Sequence, residues 1–234
     1  MEKPLYDSRQ GVRMVPQGVV FTDPLRVTTC QPLDAGRPAL ERYIAGIFHA
    51  AYGATVMEYL PLLCSLQQGG ECTAALGLRS GAGQQLFCEQ YLDKPVQQQV
   101  LREFGASVNR SRVMELGNLV SSEPGLAVLL YLLVVAALPQ AGIDYLLFAA
   151  NRAVMASIRR CGFDTRVLGA ASPACLGERA TEWGSYYQGQ PMVVLADLTQ
   201  ALAHGREHPR INALWEENGE MVGDLALAIR DQRQ

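Results

Sequence analysis

Two polar side chains, Glu115 and Asn118, stand three residues apart inside the otherwise apolar stretch VMELGNLV at 113–120. A buried carboxylate is costly unless it is paired or hydrogen-bonded, so Glu115 among Val113, Met114, Leu116, Leu119 and Val120 asks for a reason. One reason is general-base catalysis, for which burial supplies a raised pKa. The other is a plain ion pair with Arg110 or Arg112 at a sheet edge. Strict alternation sends Glu115 and Asn118 to opposite faces of a strand. Gly117 between them is a residue that often marks a bulge, and a bulge can turn both toward one cleft.

The surrounding pattern reads as strand, loop and buried helix. Val120-Ser121-Ser122-Glu123-Pro124-Gly125 is rich in turn residues, and an unbroken apolar run then continues to Leu138. That run has about fourteen residues, short of the roughly 18–20 that cross a bilayer core, so it fits a helix packed on a sheet better than a membrane span. Backbone N–H groups where a loop meets a helix start can hold one phosphate or an oxyanion, which makes Leu119, Val120, Ser121 and Ser122 candidate donor-binding residues. Glu123, read in the first helical turn, would repel a pyrophosphate there. A single phosphodiester, as on a carrier-protein arm, is easier to place than coenzyme A.

A short buried strand at 145–149 and a helix at 151–160 follow, which makes the two central strands parallel through a βαβ crossover. Upstream, Leu40, Tyr43, Ile44, Ile47, Phe48 and Ala51 repeat at helical spacing between Pro38 and Gly53. Segments 60–66 and 72–78 read as a hairpin closed by Arg79. A helix at 96–104 ends at Gly105, with Asp93 expected as its N-cap. A strand at 191–196 and a helical segment at 211–229 complete the chain, the latter either capping the core or pairing two subunits. Residues 1–35 carry four prolines and one strand candidate near 19–21. The expected fold is α/β (α+β), a mixed central sheet with flanking helices in one domain over 1–234, with an N-terminal extension at 1–35 and a C-terminal helical segment at 207–234.

Composition excludes several classes. A net charge of −3 without a basic block argues against nucleic acid as partner. The six cysteines contain no C-x-x-C pair and sit among apolar residues, as reduced core thiols do. Met1-Glu2-Lys3-Pro4 leads into polar residues rather than an apolar signal core, so a cytoplasmic protein is expected. There is no G-x-x-x-x-G-K-[ST], G-x-S-x-G or H-E-x-x-H, and only three histidines are present, so neither a metal site nor a Ser-His-Asp arrangement is expected. What remains is Glu115 and Asn118 beside an aromatic cluster, Trp183, Tyr186 and Tyr187, with Arg79 and Glu89 as further polar groups of a pocket. Each aromatic fits a core corner as well as a pocket wall.

Three segments, LFCEQYLD (86–93), RSRVMELGNLVS (110–121) and WGSYYQGQPMV (183–193), resemble the thermostable hemolysin family in order and separation, and the likeness runs from about residue 23 to 197. Two departures stand out: Cys88 replaces a usual aliphatic residue, and FAAN (148–151) replaces a Thr-containing segment. The resemblance implies a GNAT-like fold near the acyl-homoserine-lactone and N-acyl amino acid synthases, with the strands 113–120 and 145–149 splayed to admit a pantetheine arm. It further implies transfer of a fatty acyl group from an acyl-carrier-protein thioester to a small amine or amino acid. No bound cofactor is implied, the acyl-phosphopantetheine thioester being a co-substrate. Glu115 would be the base, Asn118 would orient substrate or water, Tyr187 would protonate the leaving thiolate, and an apolar tunnel beside the helix at 126–138 would hold the acyl chain. The rival readings are a protein that lyses membranes directly and a non-catalytic carrier-protein-binding module.

Overall fold

The computed structural model describes residues 24–123 and 125–232. The strand expected near 19–21 lies outside them. In chain order the elements are β1 (Leu25–Cys30), α1 (Arg37–Tyr52), β2 (Leu62–Gln68), β3 (Glu71–Ser80), a 3₁₀ turn (Phe87–Tyr91), α2 (Val96–Phe104), β4 (Val113–Ser121), α3 (Leu126–Gln140), β5 (Tyr145–Ala150), α4 (Arg152–Arg160), β6 (Thr165–Ala170), β7 (Met192–Asp197), α5 (Leu198–Glu207), α6 (Pro209–Glu217) and α7 (Gly219–Asp231). Short 3₁₀ turns at Arg110–Arg112, Pro173–Trp183 and Tyr186–Gly189 link them.

The strands form one seven-stranded sheet in the order β1-β2-β3-β4-β5-β7-β6. All neighbours are antiparallel except β4 and β5, which run parallel with α3 as their crossover. The expected hairpin, the parallel pair and the helices at 38–52, 96–104 and 151–160 are all present, and α1 and α2 end on left-handed Gly53 and Gly105. Two strands and one helix escape the pattern. β1 lies in a proline-rich stretch, and β6 is an edge strand whose residues are half-buried or exposed and therefore carry little apolar signal. α5 starts directly on β7, with the Asp197 side chain capping Thr199 and Gln200 N–H, so no loop announces it.

α3 is apolar on every side, and the structure covers every side. Met114, Leu116, Leu146 and Phe148 of the sheet lie beneath it, and Trp215, Val222, Leu225, Ala226 and Ile229 of α6 and α7 lie above. The Trp215 indole N–H donates to the Leu132 carbonyl at 2.9 Å, satisfying its polar atom inside this layer. The C-terminal helices therefore cap the core. They pack beside α3, because an all-round apolar helix must be sheathed by protein if it is not in lipid.

The opposite face of the sheet is covered in two parts. α1 packs Leu40, Ile44 and Phe48 on Leu63, Ala75 and Val120, while the 3₁₀ turn and α2 pack Leu86, Cys88, Val96 and Val100 on Val113, Tyr145, Leu147, Val193 and Leu195. Between these two clusters sits Glu115.

Candidate active site

Glu115 alternates with Met114 and Leu116, so when these turn under α3 it turns to the other face. It is 1% exposed. Its carboxylate accepts the Phe87 N–H at 2.9 Å and the Cys88 N–H at 2.6 Å, donors freed because a 3₁₀ turn begins there. Arg79 stands directly opposite on β3, with Nη1 3.8 Å from Oε2, which is an ion-pair distance and too long for a hydrogen bond. Burial raises the Glu115 pKa above the ordinary carboxylate range, and the Cys88 and Phe87 N–H groups and Arg79 pull it only partly back. The Cys88 thiol is pushed well above its usual value by its own burial and by Glu115, which removes it as a thiolate nucleophile. Neither arginine expected from the sequence reaches Glu115: Arg110 pairs with Glu89, and Arg112 with Asp144.

The bulge anticipated at Gly117 is real and falls one residue later. Gly77 pairs with Gly117 and Ala75 with Val120, leaving Asn118 and Leu119 opposite the single residue Leu76, with Asn118 at φ 51°. Asn118 tolerates this left-handed conformation better than most residues. Its carboxamide, however, is spent on the backbone of the segment between α1 and β2: Oδ1 accepts the Leu60 N–H at 2.9 Å and Nδ2 donates to the Glu58 carbonyl at 3.3 Å. It is a strut that holds this segment against β4 rather than a group presented to substrate. Gly77 makes room for it, since a Cβ there would lie 2.8 Å from Leu60 Cβ and 2.9 Å from Asn118 Oδ1. The segment in turn delivers Glu58, whose Oε1 meets Arg79 Nη2 at 2.5 Å. Sequence reasoning missed Glu58, because nothing in ATVMEYLP distinguishes it from a solvated charge.

β4 and β5 pair only from Val113–Tyr145 to Leu116–Phe148. Beyond that point β4 goes on pairing with β3 to Ser121, and β5 goes on pairing with β7 to Ala150, but they no longer pair with each other. The strands splay one residue past Glu115, leaving the β5-facing edge of β4 from Gly117 onward without a strand partner. Along that edge Leu119 packs toward α3 and Val120 toward α1. Ser121 Oγ donates to the Glu123 carbonyl, and the Ser122 N–H is already taken by the Thr73 carbonyl and the Tyr43 hydroxyl, both at 3.0 Å. Glu123 is not in the first turn of α3: the N-cap is Gly125, no side chain caps this end, and the first turn holds no acidic residue.

The three aromatics gather into one cluster. Trp183, Tyr186 and Tyr187 lie at mutual centroid distances of 5.2–6.1 Å, joined by Phe48 and Tyr52 of α1 and by Phe87 of the 3₁₀ turn. The Ser185 N–H donates to the Tyr52 carbonyl at 2.8 Å, and Gly184 at φ 52° lies where a Cβ would come 2.1 Å from that same carbonyl oxygen, so this clasp admits only glycine. Tyr187 and Tyr91 share a hydrogen bond between hydroxyls at 2.6 Å, and burial raises the pKa of both. Except for Phe48 these rings are half-buried, and Phe87 ties them to Glu115 through its N–H.

Glu89 is held apart from this group. Its carboxylate accepts N–H bonds from Leu86 and Val96 at 2.7 Å and both Arg110 Nη atoms at 2.6 and 2.8 Å. Burial pushes its pKa up, but Arg110 and the two N–H donors outweigh it, so the net shift is downward. Glu89, and not Asp93, thus satisfies the start of α2; Asp93 instead accepts from the Gln99 amide at 3.0 Å, because the Pro95 N-cap has an extended backbone and no capping side chain. Glu89 and Arg110 line an open cavity of about 570 Å³ with Gln84, Asp93, Lys94 and Gln97, which includes none of the residues around Glu115. Among the described residues no group of His, Cys, Asp and Glu is arranged to hold a metal ion, and no helix is long and apolar enough to cross a membrane.

Three solved structures share this arrangement of strands and helices. One described as FeeM, an N-acyl amino acid synthase from uncultured soil microbes, superposes with a TM-score of 0.53 at 14% identity over 77% of this chain and 96% of its own. The acyl-homoserine-lactone synthase LasI gives 0.52 at 14% identity over 78% and 94%, and TofI in apo form gives 0.52 at 17% over 77% and 95%. At these identities the likeness establishes the fold. Comparison with curated protein sequences gives no match. The model of the thermostable hemolysin family matches residues 30–202, from the end of β1 into α5, and by that match the chain belongs to the thermostable hemolysin family.

Proposed function

We propose that this protein is an N-acyltransferase that moves a fatty acyl group from a phosphopantetheine thioester to the amine of a small acceptor. The observation that carries the reading is the splay of β4 from β5 one residue past a buried, raised-pKa carboxylate. An unpaired strand edge inside a sheet offers N–H and C=O groups to an extended amide-bearing ligand, and a pantetheine arm is such a ligand. The solved structures of the same fold include an N-acyl amino acid synthase and an acyl-homoserine-lactone synthase, which is consistent with acyl transfer.

The chemistry assigns one role to each group. Glu115 takes the proton from the acceptor amine, its burial making it a stronger base than an ordinary carboxylate. The freed nitrogen attacks the thioester carbonyl, and backbone N–H groups along Leu119–Ser121 face the developing oxyanion. As the C–S bond breaks, the Tyr187 hydroxyl, coupled to Tyr91, hydrogen-bonds and protonates the departing sulfur. Trp183 and Tyr186 wall the acceptor side, and Asn118 acts one step back by fixing the bulge. The donor we favour is acyl carrier protein over coenzyme A: Glu123, exposed just before α3, sets a negative charge where a pyrophosphate would approach.

Intact-mass detection of thioester consumption tests the reading, with purified protein, long-chain acyl carrier protein or acyl coenzyme A, and a pool of amino acids and polyamines, beside Glu115→Gln. Acceptor-dependent product that disappears in the variant is expected. No consumption of either donor, together with lysis of pure lipid vesicles, would overturn it.

A further inference from the structure

Arg79 carries a polar atom that the fold leaves unused. Its side chain is 11% exposed, and its Nε–H is buried with no hydrogen-bond partner. Such a group is expensive to leave unsatisfied, and the rarity of unpaired buried donors makes each one informative. Nη1 faces Glu115 at 3.8 Å without bonding it, so the guanidinium's single close partner is Glu58 through Nη2 at 2.5 Å. The two sides of that pair differ in freedom. The backbone of Glu58 is pinned by Asn118, but its carboxylate is 45% exposed and can swing outward without disturbing the strut.

From this we infer that Arg79 is the receptor for the carboxylate of an amino-acid acceptor, with the Glu58 carboxylate standing in for it when the site is empty. The inference rests on the acyltransferase reading and narrows its acceptor class. An arginine fork grips a carboxylate with two parallel N–H bonds, and the unpaired Nε–H beside the Glu58-bonded Nη2 is one half of such a grip. Replacing one carboxylate by another leaves the charge around Arg79 unchanged, so the exchange adds no uncompensated ion. Because Arg79 and Glu115 are directly opposed on β3 and β4, a bound carboxylate sets the α-amino group of the same molecule next to the base. The half-buried rings of Trp183, Tyr186 and Tyr187, which reach Glu115 through Phe87, then offer an apolar surface for the acceptor's own side chain.

The test uses the purified full chain and a long-chain acyl thioester, with the twenty amino acids as one pool and their decarboxylated amines as another. The wild type is expected to favour the amino acids by about 100-fold in kcat/KM, less than the roughly 10,000-fold of a site whose donors are left wholly unpaired, because the Glu58 carboxylate covers Arg79 when an amine without a carboxylate binds. In Arg79→Gln the preference is expected to fall to within about threefold of unity, mainly through KM, and Arg79→Lys is expected to recover part of it. Equal use of both pools by the wild type would overturn the assignment of Arg79 while leaving the acyltransferase intact. Transfer to neither pool would overturn the acyltransferase reading and this inference with it. The wild-type ratio keeps the proposal open to refutation even if the variants fold poorly.

Discussion

Glu89 and Glu115 are both glutamates, both at least nine-tenths buried and both bonded by two backbone N–H groups, yet their environments set them to opposite tasks. Glu89 has Arg110 within hydrogen-bond reach on both oxygens, and its pKa is held down. Glu115 has its arginine 3.8 Å away and shared with Glu58, and its pKa is raised. A distance of about one ångström between carboxylate and guanidinium thus separates a clamp that ties a 3₁₀ turn to a helix from a carboxylate ready to accept a proton. The lesson is that burial alone does not make a carboxylate reactive. Burial with an incomplete set of partners does.

The contrast can be broken most sharply by Glu115→Gln. Transfer measured as thioester consumption should fall by about 1,000-fold, the usual worth of a positioned base, while the thermal midpoint drops only modestly because one N–H donor loses its acceptor. Glu89→Gln should show the reverse signature. Leaving Arg110 half-buried beside a neutral amide should cost about 3 kcal/mol by denaturant unfolding, with turnover per folded molecule little changed. If Glu89→Gln were instead stable and inactive, the roles assigned to the two glutamates would be exchanged.

A smaller effect is expected at the bulge. Asn118→Ala removes two hydrogen bonds to the 58–60 backbone and places a less tolerant residue at φ 51°, which should destabilise the fold by about 2 kcal/mol. A tryptophan-fluorescence melt reads the loss, and Asn118→Gly should recover the part that comes from backbone strain.

The smallest effect is in pH dependence, and its sign differs between the two sites. Glu89's depressed pKa contributes stability that is present above the ordinary value of 4.5 and lost as pH falls through the lowered one. For Glu115 the neutral form is the better tolerated, so its contribution is present below 4.5 and is lost as pH rises through the raised pKa. Difference unfolding curves of wild type against each variant over about pH 3–7 should therefore slope in opposite directions, by no more than about 1.4 kcal/mol per pH unit. Activity should show an acid limb above 4.5 that vanishes with Glu115→Gln.

Much of this architecture is legible in the sequence. Apolar periodicity and glycine or proline punctuation located β4, β5, the β2–β3 hairpin, α1 and α2, because each of those signals acts within a few residues. The same locality explains the failures. β6 hides its identity because an edge strand need not be apolar, and Asp93 looked like a cap until the backbone at Pro95 turned extended and Glu89 took the role from seven residues upstream. Of the pocket residues named from the sequence, Arg79 and Glu115 meet across the β3–β4 ladder and Trp183, Tyr186 and Tyr187 meet one another, whereas Glu89 belongs to a separate cavity.

Local pattern alone places a carboxylate and an amide among the apolar residues of one strand, a glycine that often marks a bulge between them, and an apolar helix too short to cross a bilayer after them. These are consequences of local pattern and of the cost of exposing apolar or burying polar groups. Which arginine would face that carboxylate, at what distance and with what competitor, was decided only by the tertiary structure. Arg79 arrives through strand register, Phe87 and Cys88 through the placement of a 3₁₀ turn, and Glu58 through the Asn118 strut. A carboxylate's pKa depends on ångström-scale distances to N–H donors and charges that lie 27 to 57 residues away along the chain, and no local pattern encodes them.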